Sequence, residues 1–383
     1  MNTALAHTSS RFMTTDTSGI RSFRTAQDRL FEHAFQQTLD GKAEGLLAQY
    51  LYWSASTYDK PGFERGGDLR LLGGNGWEQY VKENTMAGYL GHDARIIEHA
   101  IMERRLLQML PQTVSLVSLG GGDKETYLNN EGRIITGLQE LTEEKEISAL
   151  HVVDICRKYA AENAFVSATE LGVERSFAVL GDFMNDPGLS IHEARGGTVL
   201  TSFGGTLFNA PRFIIEDTKT TTIDAFQTYW TNMNQQFGLG ALALVTREKF
   251  TPESLDKKYA LAKKSGVDAF VLGAWSRAVY KGVITDPNYN PFDNWRTERQ
   301  IVETDAGFDV DFLNVAKKSH TLPTKFGDYD IQEGQSIVAA ISAKFHGDHL
   351  DRAVQNGNWE VIDAIEQDNN PHELIVAKGL KPL

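Results

Sequence analysis

From residue 113 onward the chain alternates short apolar runs with helical stretches, and the first run, TVSLVSLGGG, ends in three glycines, Gly120 to Gly122. β-Branched and apolar residues fill the run, so it reads as a strand stopped by a turn. ALHVVDI (149–155), SFAVLGDF (176–183), TVLTSFGG (198–205) and LGALALVT (239–246) repeat the pattern. Runs of this kind are buried on both faces. Their alternation with helices predicts an α/β fold with a parallel sheet covered on both sides. The chain has 383 residues, which suits one large α/β domain or two domains sharing the polypeptide.

The flanking segments follow other rules. Residues 1–20 are Ser/Thr-rich with no signal-peptide core, and are expected to be a disordered tail. Residues 21–52 read as a helix, with Leu30, Phe31, Ala34, Phe35 and Leu39 at helical spacing, and residues 93–110 read as another. Between them, Tyr58 to Trp77 is punctuated by Pro61, Gly62, Gly66, Gly67, Gly73 and Gly74, which forbid a long helix. Residues 251–335 break the strand–helix rhythm and read as an insert, helical around Tyr259 to Tyr280 and then turn-rich. SIVAAISAKF (336–345) reads as a strand of that insert, and a helix near 348–356 followed by WEVIDAI and HELIVAKGL would complete the sheet.

Composition excludes several functions. Lys plus Arg number 38 against 51 Asp plus Glu, a net charge of −13, which argues against a nucleic-acid partner. The single cysteine, Cys156, rules out an internal disulfide or a Cys-rich zinc site and fits a cytoplasmic chain. No run approaches the roughly 18 apolar residues that span a bilayer. The histidines form no i, i+4 pair with a carboxylate, so no metal is expected.

Chemistry-bearing residues gather at the ends of the predicted strands, where open parallel sheets bind ligands. Gly120, Gly121 and Gly122 allow close backbone approach. A dinucleotide fingerprint would need glycine at Glu125, and its acid would fall roughly 20 residues on, whereas Asp154 lies 32 past Gly122. Asp154 either accepts both hydroxyls of a ribose or caps the next helix. Asp182 and Phe183 suit an adenine amino group and ring, or a plain turn. Ser202 ends the fourth run, and Asn209 beyond it offers both a donor and an acceptor. Glycines, an acid and an acid–aromatic pair on successive strand ends describe an adenosyl pocket.

These residues carry a family resemblance over roughly 58–380. LVSLGGGDKETYL resembles the strand-one motif of the S-adenosylmethionine-dependent histidine Nα-methyltransferases of ergothioneine biosynthesis, usually written L-G-S-G-T-S-x-K-T. HVVDI, AVLGDF and FGGTLFNAP fall in the order of that family's ribose, adenine and G-S-T-x-G-N motifs. GQSIVAAISAKF resembles its late G-E-x-I-x-T-E-I-S-x-K-F segment, and YDKPGFERGGDL its early Y-D-x-x-G-S-x-L-F segment.

The resemblance implies a class I (Rossmann-like) methyltransferase sheet with a smaller α+β substrate domain. That domain would be built from 21–110 and the insert 251–345, with the core at 111–250 and 346–383. It implies S-adenosyl-L-methionine on Gly120, Gly121, Gly122, Asp154, Asp182, Phe183 and Ser202. It also implies a small-molecule amine or amino acid held by Tyr58, Tyr89, Asn209 and Tyr259, with Tyr58 or a water on Asn209 as the candidate base. Where the family has a glutamate for the imidazole, two residues before Ser342, this chain has Ala340. Histidine is therefore not the expected substrate, and an indole is one side chain that would suit. Transfer of the aminocarboxypropyl arm of the same cofactor, or cofactor binding without catalysis, are the alternatives.

Overall fold

The computed structural model describes residues 29, 31–44, 64–65, 68–69, 89–141, 145–181, 183, 191, 197–204, 212–215, 218–219, 222–251, 253–254 and 267–380. Its centre is a seven-stranded sheet. In chain order the strands are β1 (Thr113–Leu119), β2 (Glu146–Asp154), β3 (Ser176–Leu180), β4 (Gly197–Ser202), β5 (Leu242–Glu248), β6 (Trp359–Glu366) and β7 (His372–Gly379). In space they lie in the order β6-β7-β5-β4-β1-β2-β3. Pairing is parallel from β5 through β3, while β7 runs antiparallel to both β5 and β6. The sheet is thus the expected mostly parallel α/β sheet, with one reversed strand, β7, slotted between β5 and β6.

Successive side chains of one strand point to opposite faces, so each strand feeds two cores. Leu374 and Val376 of β7 join one cluster with Ile96, Ile97 and Ile101 of α2 (Tyr89–Met102) and with Ile134, Ile135 and Leu138 of the helix Glu131–Leu141. Ile375 and Ala377 join the other, with Phe226, Tyr229 and Trp230 of the long helix Thr222–Phe237 and with Leu350 and Val354 of the helix Gly347–Asn356. Of the two edge strands, β6 alternates more and less exposed residues, whereas β3 is half-buried along most of its length.

The region 267–345 forms its own layer. A helix at Val267–Tyr280, buried without interruption from Val271 to Val279, packs on a three-stranded antiparallel sheet. The strands are Trp295–Thr304 on one edge, Gly307–Ala316 in the middle and Ser336–Phe345 on the other edge. Phe31, Ala34 and Phe35 of α1 (31–39) share this core.

The helix expected over 21–52 does not run that far. Among the described residues it stops before Gly41, whose φ of +69° lies in the left-handed region that favours glycine, and Lys42 N–H closes the end on Gln37 O at 2.8 Å. Ala43–Glu44 is a strand paired with Arg212–Ile215. The fifth run begins later than expected, at Leu242, because Gly238 and Gly240 (φ +72° and +85°) form a turn before it.

Candidate functional site

Strands β1, β2 and β3 step one way across the sheet and β4 and β5 step the other, so the order reverses between β1 and β4. A crevice opens outside the carboxyl ends of the strands at such a reversal. The expected cofactor residues that the structure describes all stand along this edge.

The glycine loop leaves β1 here. Gly120 and Gly122 have φ of +68° and +69°, a backbone turn that L side chains resist. Gly121 is small for a different reason: a Cβ on it would stand 2.8 Å from Tyr127 Cδ2 and 3.1 Å from Ser118 Oγ. Gly120 N–H donates to Val153 O at 2.9 Å, and the Asn163 amide donates to Gly122 O at 2.8 Å. Asp123 then caps the following short helix, accepting from the N–H groups of Glu125 and Thr126.

Asp154 ends β2, 5% exposed, and its Oδ1 accepts the Cys156 N–H at 2.7 Å. Burial pushes its carboxyl up to about 7, and the N–H groups of Cys156, Gly122 and Ile155 pull it back. The acid thus caps the turn after β2 and reaches the glycine loop of β1 as well. Ser202, at the end of β4, donates to Leu119 O at 3.4 Å and ties the two central strands together. Phe183 is buried, and its ring stands edge-on to Tyr229 at 6.3 Å.

Ala340 and Ser342 lie on the strand Ser336–Phe345, opposite Phe312 and Val310. Ser342 Oγ accepts from Lys344 Nζ at 3.0 Å, and Lys344 pairs with Glu248 of β5 at 3.4 Å, both side chains being buried. This buried ion pair joins the insert to the carboxyl end of the main sheet. Tyr89 opens α2, but its side chain lies outside the described residues, as do Tyr58, Asp182, Asn209 and Tyr259.

Three buried groups beneath this edge gave no sequence signal. Asp93, on α2, accepts the Gly204 N–H at 2.7 Å with one oxygen and meets His372 Nδ1 of β7 at 2.6 Å with the other. It therefore fastens a helix, the tip of β4 and the reversed strand at one point. Glu131 accepts from Ser118 Oγ at 2.9 Å and Thr201 Oγ1 at 3.4 Å, bridging β1 and β4 from below. Burial pushes its carboxyl up to about 8; its own backbone N–H, Ser118 and Thr201 pull it down, and Asp93 adds a small upward push. Among the described residues, no group of three or more His, Cys, Asp or Glu could hold a metal ion, and no helix is long and apolar enough to cross a membrane.

No family model matches the chain, and no curated protein does. Solved structures with some likeness include an S-adenosylmethionine-dependent methyltransferase from Clostridium acetobutylicum, 10% identical, with a TM-score of 0.37 over 76% of this chain and 93% of that one. The CcbJ methyltransferase from Streptomyces caelestis is 13% identical, with a TM-score of 0.37 over 77% and 98%. The 1,6-didemethyltoxoflavin-N1-methyltransferase from Burkholderia thailandensis is 10% identical, with a TM-score of 0.34 over 84% and 100%. Likenesses this loose carry no functional argument.

Proposed function

We propose that this chain is an S-adenosyl-L-methionine-dependent N-methyltransferase acting on the amine of a free amino acid or related small molecule other than histidine. One observation carries the reading. The sheet order β6-β7-β5-β4-β1-β2-β3 sets a left-handed glycine turn, a buried acid and an aromatic at the ends of three adjacent strands, beside the reversal point. Gly120 and Gly122 let the backbone come close to a bulky ligand. Asp154 is the acid for the ribose hydroxyls. A carboxylate has about four acceptor sites, and backbone N–H groups already use several here. The ribose would then exchange with some of those bonds instead of adding to them.

Bound there, the sulfonium would supply a methyl group already activated for displacement. The protein's work is to orient an amine in line with it, keep water out and hold the amine neutral, because an ammonium has no lone pair to attack with. In this reading Tyr58, Tyr89, Asn209 and Tyr259 grip the amine and carboxylate. Tyr58, or a water on Asn209, takes the amine's proton before transfer, and Ala340 and Ser342 line the side-chain end. Incubation with S-adenosyl-L-methionine and each proteinogenic amino acid, followed by mass spectrometry, tests this. A methylated amino acid with S-adenosylhomocysteine is expected. Methylthioadenosine as the co-product would reject methyl transfer in favour of aminocarboxypropyl transfer, and no turnover despite cofactor binding would reject catalysis.

A further inference from the structure

In the insert, Asn314 Oδ1 and Nδ2, Thr297 Oγ1 and Trp275 Nε1 are all buried with no hydrogen-bond partner. Asn314 and Trp275 are 0% exposed. Thr297 and Asn314 stand directly opposite each other on neighbouring strands, so their side chains leave the same face of the sheet. Trp275 stacks at 4.4 Å on Trp295, which precedes Thr297 by two positions on that face. Two positions the other way, Phe312 stands opposite both Arg299 and Ala340, and Ser342 follows Ala340. One face, buried at Trp295 and Asn314 and half-buried at Thr297 and Phe312, thus carries the tryptophan pair, then Thr297 with Asn314, then Phe312 with Ala340.

Leaving one buried amide group unpaired costs about 1–3 kcal/mol, and folded chains satisfy nearly all such groups. Here several of them fall together, in line with the residue that departs from the family pattern. We infer that Asn314 and Thr297, with the Trp275 N–H, form the polar end of the amino-acid substrate's side-chain pocket. Its ligand is a neutral side chain bearing an N–H or O–H donor, such as an indole, a phenol or a carboxamide. Asn314 both donates and accepts, Thr297 does the same, and Trp275 only donates. None of the three ionises. A charged tip would be stripped of water there, and none of the three groups carries a counter-charge. An apolar tip would leave all three groups unpaired.

The inference rests on the proposed function for the identity of the substrate as an amino acid, but its test is binding and not turnover. Calorimetric titration of the full chain, with S-adenosylhomocysteine present, compares L-tryptophan, L-tyrosine and L-glutamine with L-leucine and L-glutamate. At least one donor-bearing amino acid is expected to bind in preference to leucine and glutamate. Asn314→Leu is expected to weaken that binding roughly tenfold, the loss of one net hydrogen bond, without lowering Tm, because it removes atoms the free protein leaves unpaired. A lower Tm with unchanged selectivity would mean a structural group satisfied by buried water, and would overturn the inference. So would binding of none of the five, or a preference for leucine or glutamate. Thr297→Val gives the same comparison should Asn314→Leu not fold. A wild type that binds its amino acid yet transfers no methyl group would sink the proposed function and leave this inference standing.

Discussion

Gly121 is where the glycine turn tolerates change least. Its neighbours Gly120 and Gly122 are glycines for backbone reasons, but Gly121 is small because the Tyr127 ring leaves no room, and that ring is itself fixed by a 2.7 Å bond to Ser167. Gly121→Ala is expected to cost about 1–3 kcal/mol of stability, the usual penalty for overpacking a rigid site. Urea denaturation measures it, and an unchanged midpoint would mean that the ring moves freely. The two raised carboxyls give a second residue-scale prediction. Asp154 and Glu131 titrate near 7 and near 8 in the folded chain, above the ordinary carboxylate range. Between those values and the unfolded ones the folded state holds more protons. Stability is therefore highest in mild acid and falls as pH rises, by at most about 1.4 kcal/mol per pH unit for each group. Glu131→Gln removes one of the two, so its unfolding free energy should fall less than that of wild type between about pH 5 and pH 8.5. Parallel curves for the two proteins would remove Glu131 from that account.

Between elements, the fastening that matters most is Asp93. It takes the Gly204 N–H from β4 and the His372 ring from β7, so α2 is tied to the reversal point from the side where Tyr89 begins. Leaving a buried hydrogen-bonding group without its partner costs about 1–3 kcal/mol, more for a charged group. Asp93→Ala should lose stability on that scale, seen as a falling denaturation midpoint, whereas Asp93→Asn, which keeps an acceptor for Gly204, should lose less. Equal losses would mean that the carboxylate charge, and not the Gly204 bond, is what α2 depends on. None of this was legible in the sequence, because Asp93 and His372 lie 279 residues apart and each reads alone as an ordinary polar residue. The strands were legible for the opposite reason. Burial on both faces writes a continuous apolar run, as in TVSLVSL and ALHVVD, and glycines mark where it stops. The reversed direction of β7 was not legible, since HELIVAKG has the same apolar character as a parallel strand. Lys344 and Glu248 were missed because a lysine at a strand end reads as solvent-facing until the insert folds over β5.

For the whole molecule, the edge built from β1, β2 and β3 makes a claim that stability alone can check. A ligand that binds only the folded state raises the unfolding free energy by RT ln(1 + [L]/Kd), about 2.7 kcal/mol at a hundredfold excess over Kd. S-adenosyl-L-methionine should therefore raise Tm with a logarithmic dependence on its concentration. NAD, which needs a third loop glycine where this chain has Glu125, should leave Tm unmoved. The variant that separates the proposed cofactor site from the rest is Asp154→Ala. It deletes a buried carboxylate whose charge is costly at neutral pH, so the loss of its bonds to the loop is partly offset and the free protein should survive. If Asp154 holds the ribose as proposed, its cofactor-induced shift in Tm should nevertheless shrink, because two ribose hydroxyls would lose their shared acceptor. A full shift in that variant would mean that the ribose is held elsewhere. The glycine turn and the acid would then be structural neighbours at the crevice with no common ligand.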